Sequence, residues 1–227
     1  ARLHRLVMRR FAVGDAHRQG RSSMTPHLHQ VNDARNLLAI VREHGSALDA
    51  SDTGTGKSIT ALLVAAALKF PVQVVCPLSV GPAWEQKFAM TGVTGTWINY
   101  DRARVRTWRP SQPNALVIFD EVHRCKSPTS LQAQLLLRVA SAGHRTLLLS
   151  ATPFASPLET RAVLHALKLC PWSKWYGMLP RYGVFKNRHL HNALMWNKSP
   201  DTIAALRELV APRMVKTRWQ EIGRAHV

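Results

Sequence analysis

The chain has 227 residues, room for one large or two small domains, and 46% of them are apolar, which excludes a disordered polymer. Lys and Arg number 31 against 13 Asp and Glu, a net charge of +18 that suits a polyanionic partner, nucleic acid before others, unless it reflects arginine-rich codon usage on an ordinary surface. Cys76, Cys125 and Cys170 lack zinc spacing and fit reduced thiols of an intracellular protein, and the longest apolar runs reach about half a bilayer span.

Residues 1–25 open with an Arg-rich, acid-poor stretch without an initiator Met, expected to be a basic arm or the interior of a longer frame. Apolar residues at Val31, Leu37, Leu38 and Val41 predict a helix from Leu28 to Glu43. A short strand "SALDA" follows, then a small-residue loop, then the helix "KSITALLVAAALKF", which Pro71 stops. "VQVVC" reads as a buried strand, "GPAWEQKFAM" as a helix, "GTWINY" as a strand and "NALVIF" as an apolar strand running into "DEVH". "SLQAQLLLRVA" is a helix, "RTLLLS" a further buried strand and "LETRAVLHALKL" a helix. Beyond Pro171 the texture becomes aromatic and basic, and "SPDTIAALRELVAPRMV" supplies one more helix. Continuous apolar strands alternating with helices imply an α/β fold: a parallel sheet with helices on both faces. The tail Glu221–Val227 reads like a sequencing adapter translated in frame, so the natural chain is expected to diverge near Gln220.

The loop "SDTGTGKS" carries the first chemistry. A strand, a flexible turn and a helix N-terminus together aim backbone N–H groups at phosphates. Gly54 and Gly56 let the backbone come close, Lys57 supplies a point charge and Ser58 a hydroxyl for Mg²⁺. Ser51 stands where the strict phosphate-loop pattern has its first glycine, so a Gly-rich turn before a core helix is the plainer reading of the loop alone. The pairing with "ALVIFDEVH" argues against that reading. Asp120 and Glu121 fall at the C-terminal end of an apolar strand, where parallel sheets bind ligands. There Asp120 can hold a hydrated Mg²⁺ and Glu121 can orient and deprotonate an attacking water.

Together these motifs resemble superfamily 2 helicases and translocases. "SDTGTGKS", with Thr53 and Thr55 beside the glycines, is similar to their motif I, "DEVH" to a DExH motif II and "SATP" to motif III. Within the superfamily, "VVCPLSVGPAWEQKF", "INYDRAR", "DEVHRCKSPTS" and "LVAPRMVKTR" resemble the Swi/Snf-type translocases, whose motif III more often has Gly where Ala151 stands. The resemblance covers about residues 26–218 and implies a P-loop NTPase with a RecA-like sheet. The expected division is an ATP-binding lobe over 26–170 and an extension over 171–220 that closes this first lobe.

It also implies roles. Gln30 would read adenine, or is simply a polar residue on an amphipathic helix. His123 would link motif II to motif III, and Ser150, Ala151 and Thr152 would couple nucleotide to nucleic acid. Pro77, Leu78 and Ser79, at a strand end, would meet phosphodiester oxygens, or form an ordinary strand-to-helix turn. Arg124 and Lys126 line the same track or are solvated charges. Trp172, Trp175, Tyr176 and Trp196 are expected in the core rather than stacked on bases. The implied function is the first motor lobe of an ATP- and Mg²⁺-dependent translocase on duplex DNA, needing a second RecA-like lobe for full activity. A DExH unwinding motor, such as a restriction-enzyme or RNA-helicase subunit, is the related alternative. A basic nucleic-acid-binding module with a vestigial loop is the alternative of another class.

Overall fold

The computed structural model describes residues 25–224, so most of the basic arm and the last three residues of the tail lie outside the described part. In chain order the main elements are α1 (Leu28–His44), β1 (Ser46–Asp49), α2 (Lys57–Leu68), β2 (Val72–Cys76), α3 (Gly81–Thr91), β3 (Gly95–Asn99), α4 (Tyr100–Ala103) and β4 (Leu116–Asp120). They continue as α5 (Leu131–Ser141), β5 (Arg145–Leu149), α6 (Arg161–Ala166), α7 (Trp175–Met178), β6 (Val184–Asn187), β7 (Ala193–Trp196), α8 (Pro200–Val210), β8 (Met214–Val215) and α9 (Trp219–Arg224). Six strands form one parallel sheet in the order β3-β2-β4-β5-β1-β8, and β6 and β7 form a separate antiparallel hairpin.

The sheet shows why its strands are apolar throughout. Side chains alternate between faces with period two. Ala47, Val74, Ile118, Leu147 and Leu149 point into a core shared with α1, α2 and α3. Leu48, Val75, Val117, Phe119 and Leu148 point into the opposite core, shared with α5, α6 and α7. Both faces are therefore covered, as the sequence implied.

Two predicted elements come out differently. The helix expected over 158–169 is shorter: Pro157–Glu159 is a 3₁₀ turn and α6 begins at Arg161. The buried Thr160 hydroxyl donates to the Pro157 carbonyl at 2.8 Å and accepts the Trp175 indole N–H at 3.0 Å, so it anchors a turn instead of continuing a helix. Lys168 then takes a left-handed φ of 58° just beyond α6. The helix expected over 199–215 stops at Val210, and Met214–Val215 instead adds a sixth strand beside β1. Periodicity cannot identify a two-residue strand; its pairing partner lies in the first quarter of the chain.

Of the four aromatics expected in the core, Trp175 is there, Trp172 and Trp196 are half-buried against it, and Tyr176 is exposed, held at the surface by its ring contact with Trp175 and by Arg161. Trp175 is buried, and the Arg161 guanidinium lies 4.0 Å over the Trp172 ring and 4.8 Å over Tyr176. The three cysteines are free and buried, and burial pushes the Cys76 and Cys125 thiols up to about 12, so they stay protonated. Among the described residues no helix is long and apolar enough to cross a membrane.

Candidate nucleotide site

In the sheet β5 lies between β4 and β1, and Leu149 pairs with both Asp120 and Asp49. The loops leaving β1, β4 and β5 therefore emerge side by side at the C-terminal end of the sheet. The first is the Gly-rich loop, the second carries Asp120–Glu121–His123, and the third carries Ser150–Ala151–Thr152. Strand spacing puts Asp49 and Asp120 about 10 Å apart.

In the Gly-rich loop Gly54 and Gly56 have φ of 86° and 89°, values that side chains disfavour. A Cβ on Gly56 would also collide with the Gln30 amide, which lies against the loop and donates to the Thr55 carbonyl at 3.1 Å. His29 Nε2 reaches the same carbonyl at 3.0 Å. The Lys57 ammonium is folded onto its own loop, donating to the carbonyls of Ser51 (2.9 Å) and Asp52 (3.0 Å). Ser58 follows it in the first turn of α2, half-buried. Thr53 and Gly54 are exposed, whereas Thr55 is buried.

Beneath the loop sits Asp49, 1% exposed. Its Oδ1 accepts the Ser51 N–H at 3.0 Å, while Oδ2 has no hydrogen-bond partner. Burial pushes this carboxyl up to about 6, the Ser51 hydrogen bonds and Lys57 working against burial and nearby Asp33 adding to it.

Across β5, Asp120 is also buried, and desolvation holds its carboxyl above the ordinary range. The Trp84 indole donates to its Oδ2 at 2.8 Å and counters that rise. The Tyr100 hydroxyl donates to the Asp120 carbonyl at 3.0 Å. Glu121 adopts φ 56°, a left-handed conformation that costs a non-glycine residue about 1–2 kcal/mol. His123 Nδ1 lies 3.1 Å from Glu121 Oε2 and 3.2 Å from Ser150 Oγ, and Ser150 Oγ in turn accepts the Thr152 N–H at 3.2 Å. His123 thus touches both the second and third loops. Among the described residues no three His, Cys, Asp or Glu side chains gather into a metal cage. One carboxylate and one hydroxyl fit Mg²⁺ that keeps most of its water and meets phosphate, which is how that ion is usually held.

Pro77 is buried, whereas Leu78 and Ser79 are exposed in the 3₁₀ turn that opens α3. Leu78 shares a groove with Asn99 and Arg102.

Three contributors were not singled out from the sequence: Thr217, Trp219 and Trp84. The segment after β8 is stitched to the loop: the Asp52 N–H donates to the Thr217 carbonyl (3.0 Å), and the Thr217 N–H donates to Ser51 Oγ (2.9 Å). The Thr217 hydroxyl donates to Asp33 (2.8 Å), and the Trp219 indole donates to the Thr53 carbonyl (2.9 Å). Ser51 therefore has a structural task that glycine could not perform. Thr217 was visible only within the resembling segment "LVAPRMVKTR", and no sequence signal marks Trp219. Trp84 was visible only as one residue of a resembling segment.

This geometry recurs in solved structures. The Sulfolobus solfataricus SWI2/SNF2 ATPase core in complex with double-stranded DNA superimposes with a TM-score of 0.64 over 86% of this chain and 45% of that one, at 14% identity. This chain has the fold of a SWI2/SNF2 ATPase core. The same core domain in another structure gives a TM-score of 0.57 over 88% of this chain and 46% of that one, again at 14% identity. Sequence relatives of this SWI2/SNF2-like lobe are distant. A protein of Acanthamoeba polyphaga mimivirus, named as a candidate ATP-dependent RNA helicase, is 26% identical over 208 residues, covering 73% of this chain and 38% of its own. The Bos taurus SWI/SNF-related matrix-associated actin-dependent regulator of chromatin subfamily A-like protein 1 is 27% identical over 165 residues, covering 63% of this chain and 18% of its own. No family model matches. The chain spans less than half the length of each of these proteins.

Proposed function

We propose that the chain is the first motor lobe of an intracellular, ATP-driven translocase that acts on duplex DNA. The observation that carries this reading is the placement of the Gly-rich loop and the Asp120–Glu121 pair on either side of β5 at the C-terminal end of the sheet. A Gly-rich turn and an acidic turn serving only local structure would not need to meet there.

In this reading the loop amides and the N-terminus of α2 receive the phosphates, and the Lys57 ammonium leaves the Ser51 and Asp52 carbonyls to meet phosphate oxygens. Gln30, already against Thr55, offers a donor and an acceptor to the adenine edge. Mg²⁺, when bound, supplies charge neutralisation on the phosphates, and Ser58 and Asp120 are the residues that would hold it. Glu121 orients water for in-line attack and takes its proton. His123, between Glu121 and Ser150, relays the state of that pair to Ser150–Ala151–Thr152. The exposed turn at Leu78–Ser79, with Arg102 nearby, grips the phosphodiester backbone without reading sequence. The duplex-DNA assignment is supported by the DNA-bound SWI2/SNF2 core and by the net charge of +18.

Full turnover requires arginines from a second RecA-like lobe, so residues 1–227 alone are expected to bind nucleotide but hydrolyse it slowly. Binding of a fluorescent ADP tests the reading. Lys57→Ala is expected to weaken it more than tenfold, and Glu121→Gln to leave it intact. Nucleotide-indifferent DNA binding, unaffected by Lys57→Ala, would instead identify a basic binding module with a vestigial loop. Tighter binding to duplex RNA than to duplex DNA would move the substrate to the class named for the mimivirus relative.

A further inference from the structure

We infer that Trp84 is a positioning residue for the magnesium–nucleotide site, holding Asp120 so that one defined carboxylate oxygen is left for the cation or its water. The inference rests on the nucleotide-binding reading above and adds to it a residue outside the phosphate loop and the DEVH segment.

Trp84 is fully buried on α3, among the aliphatic side chains of α1, α2 and the sheet, with its ring 6.0 Å from that of Phe88. Its single polar atom is an indole N–H, which can donate and never accept. A buried indole needs a partner, and this one uses Asp120 Oδ2 at 2.8 Å. Because the donor cannot reverse its role, it fixes which oxygen faces the helix. A cation gripped by both oxygens would compete with that bond, so the arrangement favours engagement through Oδ1. The Tyr100 hydroxyl secures the same residue from its carbonyl side, so Asp120 is tied to both α3 and α4. The Glu121 backbone N–H also favours the charged carboxylate, but it belongs to the next residue of the chain and ties Asp120 to no other element.

The body that carries Trp84 is firmly seated. A Cβ on Gly81 would strike the Trp97 ring, so the first turn of α3 packs directly on β3. That turn continues from Leu78–Val80, the exposed turn proposed to meet nucleic acid. Trp84 is thus also a direct covalent-and-hydrogen-bonded route between that turn and Asp120. Supporting groups of this kind decide whether a ligand sits within a few tenths of an ångström of its working position.

The test is Trp84→Phe, which keeps an aromatic ring in the core and removes the N–H. Affinity for a fluorescent ADP is measured with Mg²⁺ and with EDTA. The expected result is a loss of about tenfold in the Mg²⁺ condition, the size of a lost hydrogen bond to a charged group, with the EDTA affinity within about twofold of the parent. Equal losses in both conditions would mean that Trp84 only packs, and no loss in either would overturn the proposal outright. If the parent chain binds no nucleotide at all, the nucleotide reading fails instead. Should the variant not fold, the unaltered chain answers the question by NMR with ¹⁵N-labelled tryptophan. Trp84 and Trp175 are its two wholly buried indoles, and Trp175→Phe separates their signals. The Trp84 N–H resonance is expected to shift on adding Mg²⁺–ADP and to stay put with ADP in EDTA. A resonance unmoved by bound Mg²⁺–ADP refutes the role.

Discussion

Replacing Asp49 by Asn isolates the cost of placing a carboxylate beneath the Gly-rich loop. The Asp49 carboxyl is raised from 3.8 to about 6, burial being the main cause. The folded chain therefore binds this proton more tightly than the unfolded chain does. Stability from this group is fully present below pH 4 and is lost as pH rises through 6. A shift of roughly two pH units corresponds to about 3 kcal/mol lost between acid and neutral conditions. Over the accessible window from pH 5 to pH 8 the linkage relation leaves about 1.4 kcal/mol of that change. Asparagine keeps the acceptor that the Ser51 N–H uses and carries no charge. Its amide brings donors whose partners are not assured, but that offset is the same at every pH. The assay is urea unfolding of parent and variant at pH 5, 6, 7 and 8. The advantage of Asp49→Asn over the parent is expected to grow by about 1.4 kcal/mol from pH 5 to pH 8. Parallel curves across that range would show that Asp49 is not held unusually protonated and would refute the reasoning.

Gly54→Ala combines a left-handed φ with a Cβ 3.0 Å from the Trp219 ring, so a loss of about 1–2 kcal/mol and weaker nucleotide binding are expected. Adding Trp219→Ala should restore only the part due to the contact, as a double-mutant cycle in thermal unfolding would show. Thr217→Val removes the hydroxyl that Asp33 accepts and should cost about 1–3 kcal/mol in urea unfolding, more than the same change at an exposed threonine. Binding to duplex DNA should weaken steeply with salt, the logarithmic slope changing by about 0.9 for each phosphate engaged, whereas a flat salt response would remove the polyanion argument.

Most of the sheet was legible because its strands obey a simple rule. "VQVVC" is buried over its whole length and had no competing helical period. The Gly-rich loop and "DEVH" could be placed because each follows such a strand. What stayed hidden depends on partners distant in the chain. Met214–Val215 is a strand only because β1 is there to pair with it. The segment over 158–169 has a helical pattern, yet Thr160 spends its hydroxyl on a turn and on Trp175. Trp84 reads as a core aromatic, and its link to Asp120 spans 36 residues and two elements. Hydrogen bonds from single buried N–H groups leave no periodic trace.

The reach of the loop's supports has a consequence for how the chain is made. Ser51 and Thr217 bond across 166 residues, and Asp33 and Thr217 across 184. At ribosomal speed the Gly-rich loop waits roughly ten to thirty seconds before its last partner is polymerised. Until then β1 is an outer strand with an unpaired edge, a surface that invites pairing with other chains. If the proposed function holds, nucleotide-binding competence is among the last properties the nascent lobe acquires. A chain interrupted between Pro153 and Met214 would carry the Gly-rich loop, Asp120–His123 and Ser150–Thr152 and still lack the strand that finishes the sheet beside them.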